Sequence, residues 1–311
     1  MKSYVGIDVS QDWLDVAVMP ARRTWRTANN MKGIAELGEE LLKLKPEKIA
    51  FESTGGMEIR LLIELSKRGL PAARVNPRQV RELARSMGTL AKTDRLDSIV
   101  LALFAERNKP EVSRAPTEQE LLFKGLVTRR RQLVETRAVE KNRRFSAIDE
   151  MKADCDRLIE HLSLEIKLLE QRMKELARAD DELGLKVTLL ASAPGVGLTV
   201  ARVLAAEVPE LGELSHKKIA TLLGVAPLNN DSGKDSGRRF TWGGRAFARS
   251  MLYMAAWISS RKDGKIKNFY LRLVQKGKPK KLALVACARK LLVCLNAMLR
   301  DEKPWKIEST A

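Results

Sequence analysis

The chain has 311 residues, 44% of them hydrophobic, enough for two or three domains with buried cores. Its 57 Lys and Arg against 39 acids leave a net charge of +18, which points to a polyanion partner, nucleic acid being the usual one. Three scattered cysteines without a CxxC spacing and only two histidines argue against a disulfide framework and a histidine-rich metal centre. With no signal peptide and no apolar run long enough to span a bilayer, the expected setting is a reducing cytoplasm without membrane contact.

Residues 3–110 alternate strand and helix patterns. "SYVGIDV", "WLDVAVM" and "RTWRTA" read as three consecutive strands, and "GIAELGEELLKL" is amphipathic at helical spacing. "KIAFES" is a short buried strand ending in an acid. "IRLLIELSKRG" is a helix with Gly69 near its C-terminal end, and "PAARVN" is another strand. Two helices follow, over Pro77–Ser86 and Asp94–Arg107. Strands in a row followed by alternation predict an α/β domain over 1–110, a mixed sheet with helices on its faces.

Residues 111–185 read as a helical linker. Leu162, Ile166, Leu169, Met173 and Leu176 repeat at spacings of four and three, a coiled-coil seam, and "KGLVTRRRQLVETRAVEKNRR" is a basic helix upstream of it. The last part, 186–311, is mostly helical and carries the charge. Between Gly233 and Lys281 there are 14 Lys and Arg against Asp235 and Asp263, two-thirds of the net excess. "LLASAPGVGLTVARVLAAEV" looks like a helix-hairpin-helix, in which Gly195 and Gly197 would let the backbone approach a phosphate. "LALVACARKLLVCLNAML" is a core helix, Cys287 and Cys294 included. An aromatic content of 5% does not support extensive base stacking.

Four carboxylates stand out. Asp8 ends "YVGID", Glu52 ends "IAFE", and Asp94 and Asp97 lie three apart at the start of a helix, so they share one face. Each alone reads as a strand end, a turn cap or a helix N-terminal acid. Converged, they would offer four oxygen donors to hard cations, Mg²⁺ above all, and two such ions about 3.5–4 Å apart hold a phosphodiester between them. Downstream, "NNDSGKDSGRR" has two Ser-Gly pairs in a basic stretch, where Lys234, Arg238, Arg239, Arg245 and Arg249 are candidates for phosphate contact.

The ordered acids resemble the DEDD set of RuvC-like members of the RNase H superfamily. "YVGIDVSQDWLDVAV", "FESTGG" and "KTDRLDSIVLA", joined to "LLASAPGVGLTVARVLAAEV", "LLGVAPLNNDSGK" and "GGRAFARSMLYMAAW", narrow the match. Over nearly its whole length the chain is similar to the DEDD transposases of the insertion-sequence one-hundred-ten type, which include the Piv-like DNA invertases and bridge-RNA-guided recombinases. The resemblance implies a RuvC-like N-terminal domain, a central coiled coil and a C-terminal transposase domain. It implies catalytic, Mg²⁺-binding Asp8, Glu52, Asp94 and Asp97. It also implies a nucleophilic serine that maps to Ser232 by its spacing from Ala226-Pro227, with Ser236 as the fallback. Leu228-Asn229 depart from the family, in which a basic residue often follows "AP".

The same resemblance implies a covalent phosphoserine intermediate and strand rejoining without ATP. It further implies double-stranded donor and target DNA, an element-encoded guide RNA read by base pairing, a dimer-to-tetramer with the coiled coil as natural dimer contact, and a bacterial, nucleoid-associated setting. Two other readings compete: a RuvC-like endonuclease that uses water, and a non-catalytic helix-hairpin-helix DNA scaffold. "GIDVS" also looks like the phosphate motif of actin-like sugar kinases, but the basic helical C-terminal half offers no second nucleotide domain.

Overall fold

The structure is a computed structural model that describes residues 2–88, 93–228, 231–232, 235–236, 239–262 and 264–306; at 231–232 and 235–236 it describes the backbone alone. Two compact units divide the chain, Met1–Thr117 and Glu118–Ala311.

The first unit is a five-stranded mixed sheet, as the strand-rich opening predicts. Its strands are β1 (Tyr4–Val9), β2 (Trp13–Met19), β3 (Arg23–Ala28), β4 (Lys48–Glu52) and β5 (Ala72–Val75), in the order β3-β2-β1-β4-β5. β1, β2 and β3 form an antiparallel meander, while β4 and β5 run parallel to β1. Crossovers α1 (Met31–Leu44) and α2 (Ile59–Lys67) cover one face. There Val5, Ile7, Leu14, Val16, Ile49 and Phe51 pack with Ile34, Leu37, Leu41, Leu61, Leu62 and Leu65. Each large side chain taken fully from water contributes roughly 1.5–3 kcal/mol.

The other face, carrying the even-numbered residues of β1 and β4, is covered by α3 (Pro77–Ser86) and α4 (Asp94–Asn108). Tyr4 and Ala50 pack there against Val80, Ala84, Leu101 and Phe104. Gly6 of "GID" explains how close α4 lies. A Cβ at Gly6 would overlap the Ser98 carbonyl oxygen and the Ala102 nitrogen, both backbone atoms of α4. No side-chain rearrangement relieves such an overlap, so only glycine lets the helix rest on this strand. The seat places the first turn of α4 at the C-terminal end of β1.

The second unit is helical. α5 (Glu118–Ser146) and α6 (Asp149–Ala179) form an antiparallel hairpin, cross-linked by Arg130–Glu170, by Arg137 donating to Ser163 and by Arg144–Asp156. Leu162, Ile166, Leu169 and Met173 of the predicted seam are buried in one core with Phe123, Leu126, Val127 and Leu133. The seam is therefore filled within the chain by α5, and a second copy could use only another face of the hairpin.

α7 (Asp181–Ala191) and α8 (Leu198–Glu207) follow, joined through Pro194–Gly197, then α9 (His216–Leu222), a two-residue ladder of β6 (Asp231–Ser232) with β7 (Asp235–Ser236), α10 (Ala246–Ser259), α11 (Lys265–Gln275) and α12 (Lys280–Arg300). By length and composition α12 is apolar enough to cross a bilayer, which the sequence reading did not allow for. Its packing accounts for the composition: Ala283, Leu284, Cys287, Leu291, Leu292 and Leu295 are buried inside the second unit.

Candidate active site

Asp8, Glu52, Asp94 and Asp97 all belong to the face that α4 covers. Asp8 lies two residues beyond Gly6 on β1, and Glu52 two beyond Ala50 on β4, where Gly6 and Ala50 are register partners. Asp94 and Asp97 occupy the first turn of α4, behind the N-cap Thr93, whose hydroxyl accepts from the Leu96 N–H at 3.3 Å. Their convergence is felt at Asp8. Its carboxyl is pushed up to about 6, first by burial and then by the negative charges of Asp97, Asp94, Glu52 and Asp15.

Asp15 is a member that the sequence reading missed. It stands opposite Asp8 across β1–β2 and opposite Arg26 across β2–β3. The Arg26 guanidinium donates to both Asp15 oxygens, at 2.8–3.2 Å, and from Nη2 to Asp94 Oδ2 at 3.1 Å. Asp15 is nearly buried and Asp94 exposed, so one arginine ties the sheet to the mouth of α4. An acid inside the apolar run "WLDVAVM" was the available signal.

The donor set, all carboxylate oxygens with surplus negative charge, fits a hard divalent cation. Among the described residues, no group of three or more His, Cys, Asp or Glu side chains stands ready to hold an ion. The fit is one of chemistry and charge, and no ligand geometry follows from it.

Glu58 shapes the loop after Glu52. It is almost fully buried and accepts from the backbone N–H of Thr54 at 3.2 Å and of Gly56 at 2.9 Å, with Arg74 3.5 Å away. Burial would raise its carboxyl, but the N–H donors of Glu58, Gly56 and Thr54, helped by Arg74, outweigh burial and hold it below the usual range. Gly55 and Gly56 take positive φ, +71° and +111°, which the "STGG" turn supplies without steric cost. Substituting Glu58→Gln is expected to cost roughly 2–3 kcal/mol, because a weaker acceptor then faces two partly buried donors and a cation. Urea denaturation measures it; an unchanged midpoint would show that the loop does not depend on this carboxylate.

In the second unit, the residues named from sequence fall into three groups. Lys234 and Arg238 lie outside the described residues. Arg239 is exposed. Arg245 and Arg249 are engaged inside the unit: Arg245 forms a two-pronged pair with Glu210 at 2.5 Å and donates to the Glu207 carbonyl at 2.7 Å, and Arg249 donates to the carbonyls of Gly243 and, at 3.5 Å, Leu223. Both brace the turn in which Gly224 meets Gly243 and Gly244 at positive φ.

That turn carries the serine segment. The Leu228 N–H donates to the Phe240 carbonyl at 2.8 Å, closing the base of the excursion. On the ladder Ser232 pairs with Asp235 and Ser236 with Asp231. Phe240 and Trp242 stand exposed beyond it, two flat surfaces that the low aromatic content had hidden.

The two hairpin glycines have different situations. A Cβ on Gly195 would meet Ser259 and the Ala255 carbonyl of α10, so Gly195 serves close packing. Gly197 has nothing within 4 Å and is the N-cap of α8.

Comparison with known proteins gives the family. Residues 5–152 match a family model of IS110-type DEDD transposases, described as "Transposase", and residues 187–271 match one described as "Transposase IS116/IS110/IS902 family". The pilin gene-inverting proteins of Moraxella bovis and Moraxella lacunata are 29% and 28% identical, over 98% of this chain and 98% of theirs. An uncharacterized protein of insertion element IS116 from Streptomyces clavuligerus is 29% identical over 48% of this chain and 37% of its own length. The chain belongs to the IS110 family of transposases, which are enzymes acting on DNA.

Proposed function

We propose that this transposase cuts and rejoins double-stranded DNA through a divalent-cation site of Asp8, Glu52, Asp94 and Asp97 in an RNase H-like fold, with Ser232 as the nucleophile. The observation that carries the reading is the gathering of Asp8, Glu52, Asp94 and Asp97 where the ends of β1 and β4 meet the first turn of α4, a crowding of negative charge that, with burial, raises the Asp8 carboxyl. The cation, Mg²⁺ in this reading, would supply charge neutralisation at the scissile phosphate. Asp8, Glu52, Asp94 and Asp97 would hold it, and Arg26 would keep Asp15 and Asp94 in place.

The hydroxyl of Ser232 gives up its proton and attacks phosphorus; one P–O bond of the DNA backbone breaks and the departing sugar oxygen takes up a proton, leaving as a hydroxyl. A serine phosphodiester forms in its place, so the number of phosphoester bonds is unchanged. A hydroxyl of the incoming strand then attacks that phosphorus and expels the serine, which explains why no ATP is needed. A nuclease that uses water would dissipate the bond instead.

The names of the Moraxella relatives point to inversion of a DNA segment, and the same chemistry serves inversion and transposition alike. The resemblance further supports an element-encoded guide RNA that selects donor and target by pairing, and a dimer or tetramer as the working form, acting at the bacterial nucleoid. The net charge of +18 suits such a load of polyanion. RNA copurified with the protein is expected to map beside its coding region; recovery of random cellular RNA alone would count against the guide. The cut-and-rejoin reading is tested by strand exchange and adduct formation in Ser232→Ala and Asp8→Asn.

A further inference from the structure

A cavity of about 320 Å³ lies in the second unit between α5, α6, α8 and α10, away from the serine ladder in sequence. Its size is at the lower end of small-molecule sites, roughly 300–1,000 Å³, so it admits one small group and no duplex. Val127, Met173, Val203 and Met251 give it an apolar lining, with the ring of Phe247 at one side.

Three arginines border this apolar space. Arg130 is neutralised by Glu170 at 2.6 Å. Arg131 stacks over the Phe247 ring at 4.5 Å and, among the described residues, has one loose ionic partner, Glu135 at 3.8 Å. Its Nε, the atom that faces Glu135, is buried and makes no hydrogen bond. Arg202, half-buried on α8, makes no hydrogen bond or ion pair among the described residues. Its guanidinium is held below the ordinary value by burial, and Arg130 adds to that against Glu170. Thr199 borders the same space from the first turn of α8, whose N-cap Gly197 offers no side-chain acceptor. One guanidinium without a partner among the described residues, a second with a loose one, a helix N-terminus and an apolar floor with a ring ask for one ligand type: an anion attached to a flat apolar body.

We propose that this cavity receives one unstacked nucleotide of a single-stranded nucleic acid, its base against Met251, Val203 and Phe247 and its phosphate on Arg202 and Arg131. The proposal rests on the nucleic-acid reading above but not on its chemistry. A phosphate alone would leave the apolar lining unused, and an aliphatic side chain would leave the guanidinium groups unanswered.

The test uses the full chain in EDTA, so that no strand is cut. The probes are a roughly 12-nucleotide single strand with a central 2-aminopurine, as DNA and as RNA, and the same DNA strand in a duplex. Wild-type protein is expected to change the fluorescence of a single-stranded probe and not of the duplex; whichever strand responds names the source. Arg202→Met is expected to abolish that change and to weaken single-strand binding about tenfold, as loss of one charge-assisted phosphate contact to the seated nucleotide does, with a smaller loss on duplex. Arg131→Met provides a second variant in case the first fails to fold.

Equal losses on single strand and duplex would overturn the proposal, because they would mark a general electrostatic surface. So would unchanged binding and fluorescence in both variants, or an altered sedimentation coefficient with unchanged fluorescence, which would make the cavity an interface between copies. Asp8→Asn separates the two readings: recombination that survives it defeats the carboxylate chemistry and leaves this fluorescence result standing.

Discussion

Ser232→Ala is expected to remove the covalent protein–DNA adduct and to lower strand exchange by about 10³-fold or more, because a methyl group has no lone pair to attack phosphorus. DNA binding should change less than about twofold, since one neutral hydroxyl adds little beside the phosphate-neutralising lysines and arginines. Ser236→Ala is the matched control. Ser232 and Ser236 lie on opposite strands of one two-residue ladder, each paired to an aspartate, so the local backbone treats them almost alike. Only the spacing from Ala226-Pro227 separates them, and the control should therefore keep most of the activity. Labelled DNA on a denaturing protein gel reads the adduct directly. An adduct lost only in Ser236→Ala would move the nucleophile by four residues. Strand cleavage at wild-type rate in Ser232→Ala, with no adduct in either protein, would leave a nuclease that uses water.

The contrast between the two halves of that site shows what sequence patterns carry. Strands β1, β2 and β4 were readable because each is a short, largely apolar run, and the helix pair i, i+3 at Asp94 and Asp97 placed both acids on one face; β3, "RTWRTA", has no buried residue and was readable only as the next strand of the series. Gly6 looked like part of a strand. Only the packing shows that its missing Cβ admits α4 and so brings Asp94 and Asp97 to Asp8. Asp15 and Arg26 were hidden for a similar reason: register, not composition, places them opposite each other and Asp15 opposite Asp8.

In the second unit the seam at Leu162–Met173 was plain, but periodicity names a buried stripe without naming its partner, which is α5 of the same chain. Basic residues were the least readable. Arg239, Arg245 and Arg249 carry the same charge in a sequence, yet Arg239 is exposed while the other two brace a glycine turn through Glu210, Glu207 and Gly243. Long cationic side chains find partners that no spacing rule specifies.

Asp8→Asn is expected to lower strand exchange by about 10³-fold or more and, in metal-free protein at neutral pH, to raise the melting temperature by a few degrees. The two effects share one cause. In the folded chain Asp8 holds its proton up to about pH 6, against roughly 3.9 in an unfolded one. The folded state thus binds more protons between those values. The stability from this group is full below the unfolded value and lost as pH rises through about 6, beyond which an ionised, half-buried carboxylate faces Asp97, Asp94, Glu52 and Asp15, with Arg26 already paired to Asp94 and Asp15. Asparagine removes that repulsion, and with it the oxygen charge that a cation needs. Mg²⁺ should therefore raise the melting temperature of the wild type more at pH 8 than at pH 5, because proton and cation compete for the same oxygens, and should raise that of Asp8→Asn little at either pH. Thermal melts with and without Mg²⁺ at both pH values measure this. Identical Mg²⁺ responses in the two proteins, or recombination that survives Asp8→Asn, would show that the acidic cluster serves the fold and not the phosphoryl transfer.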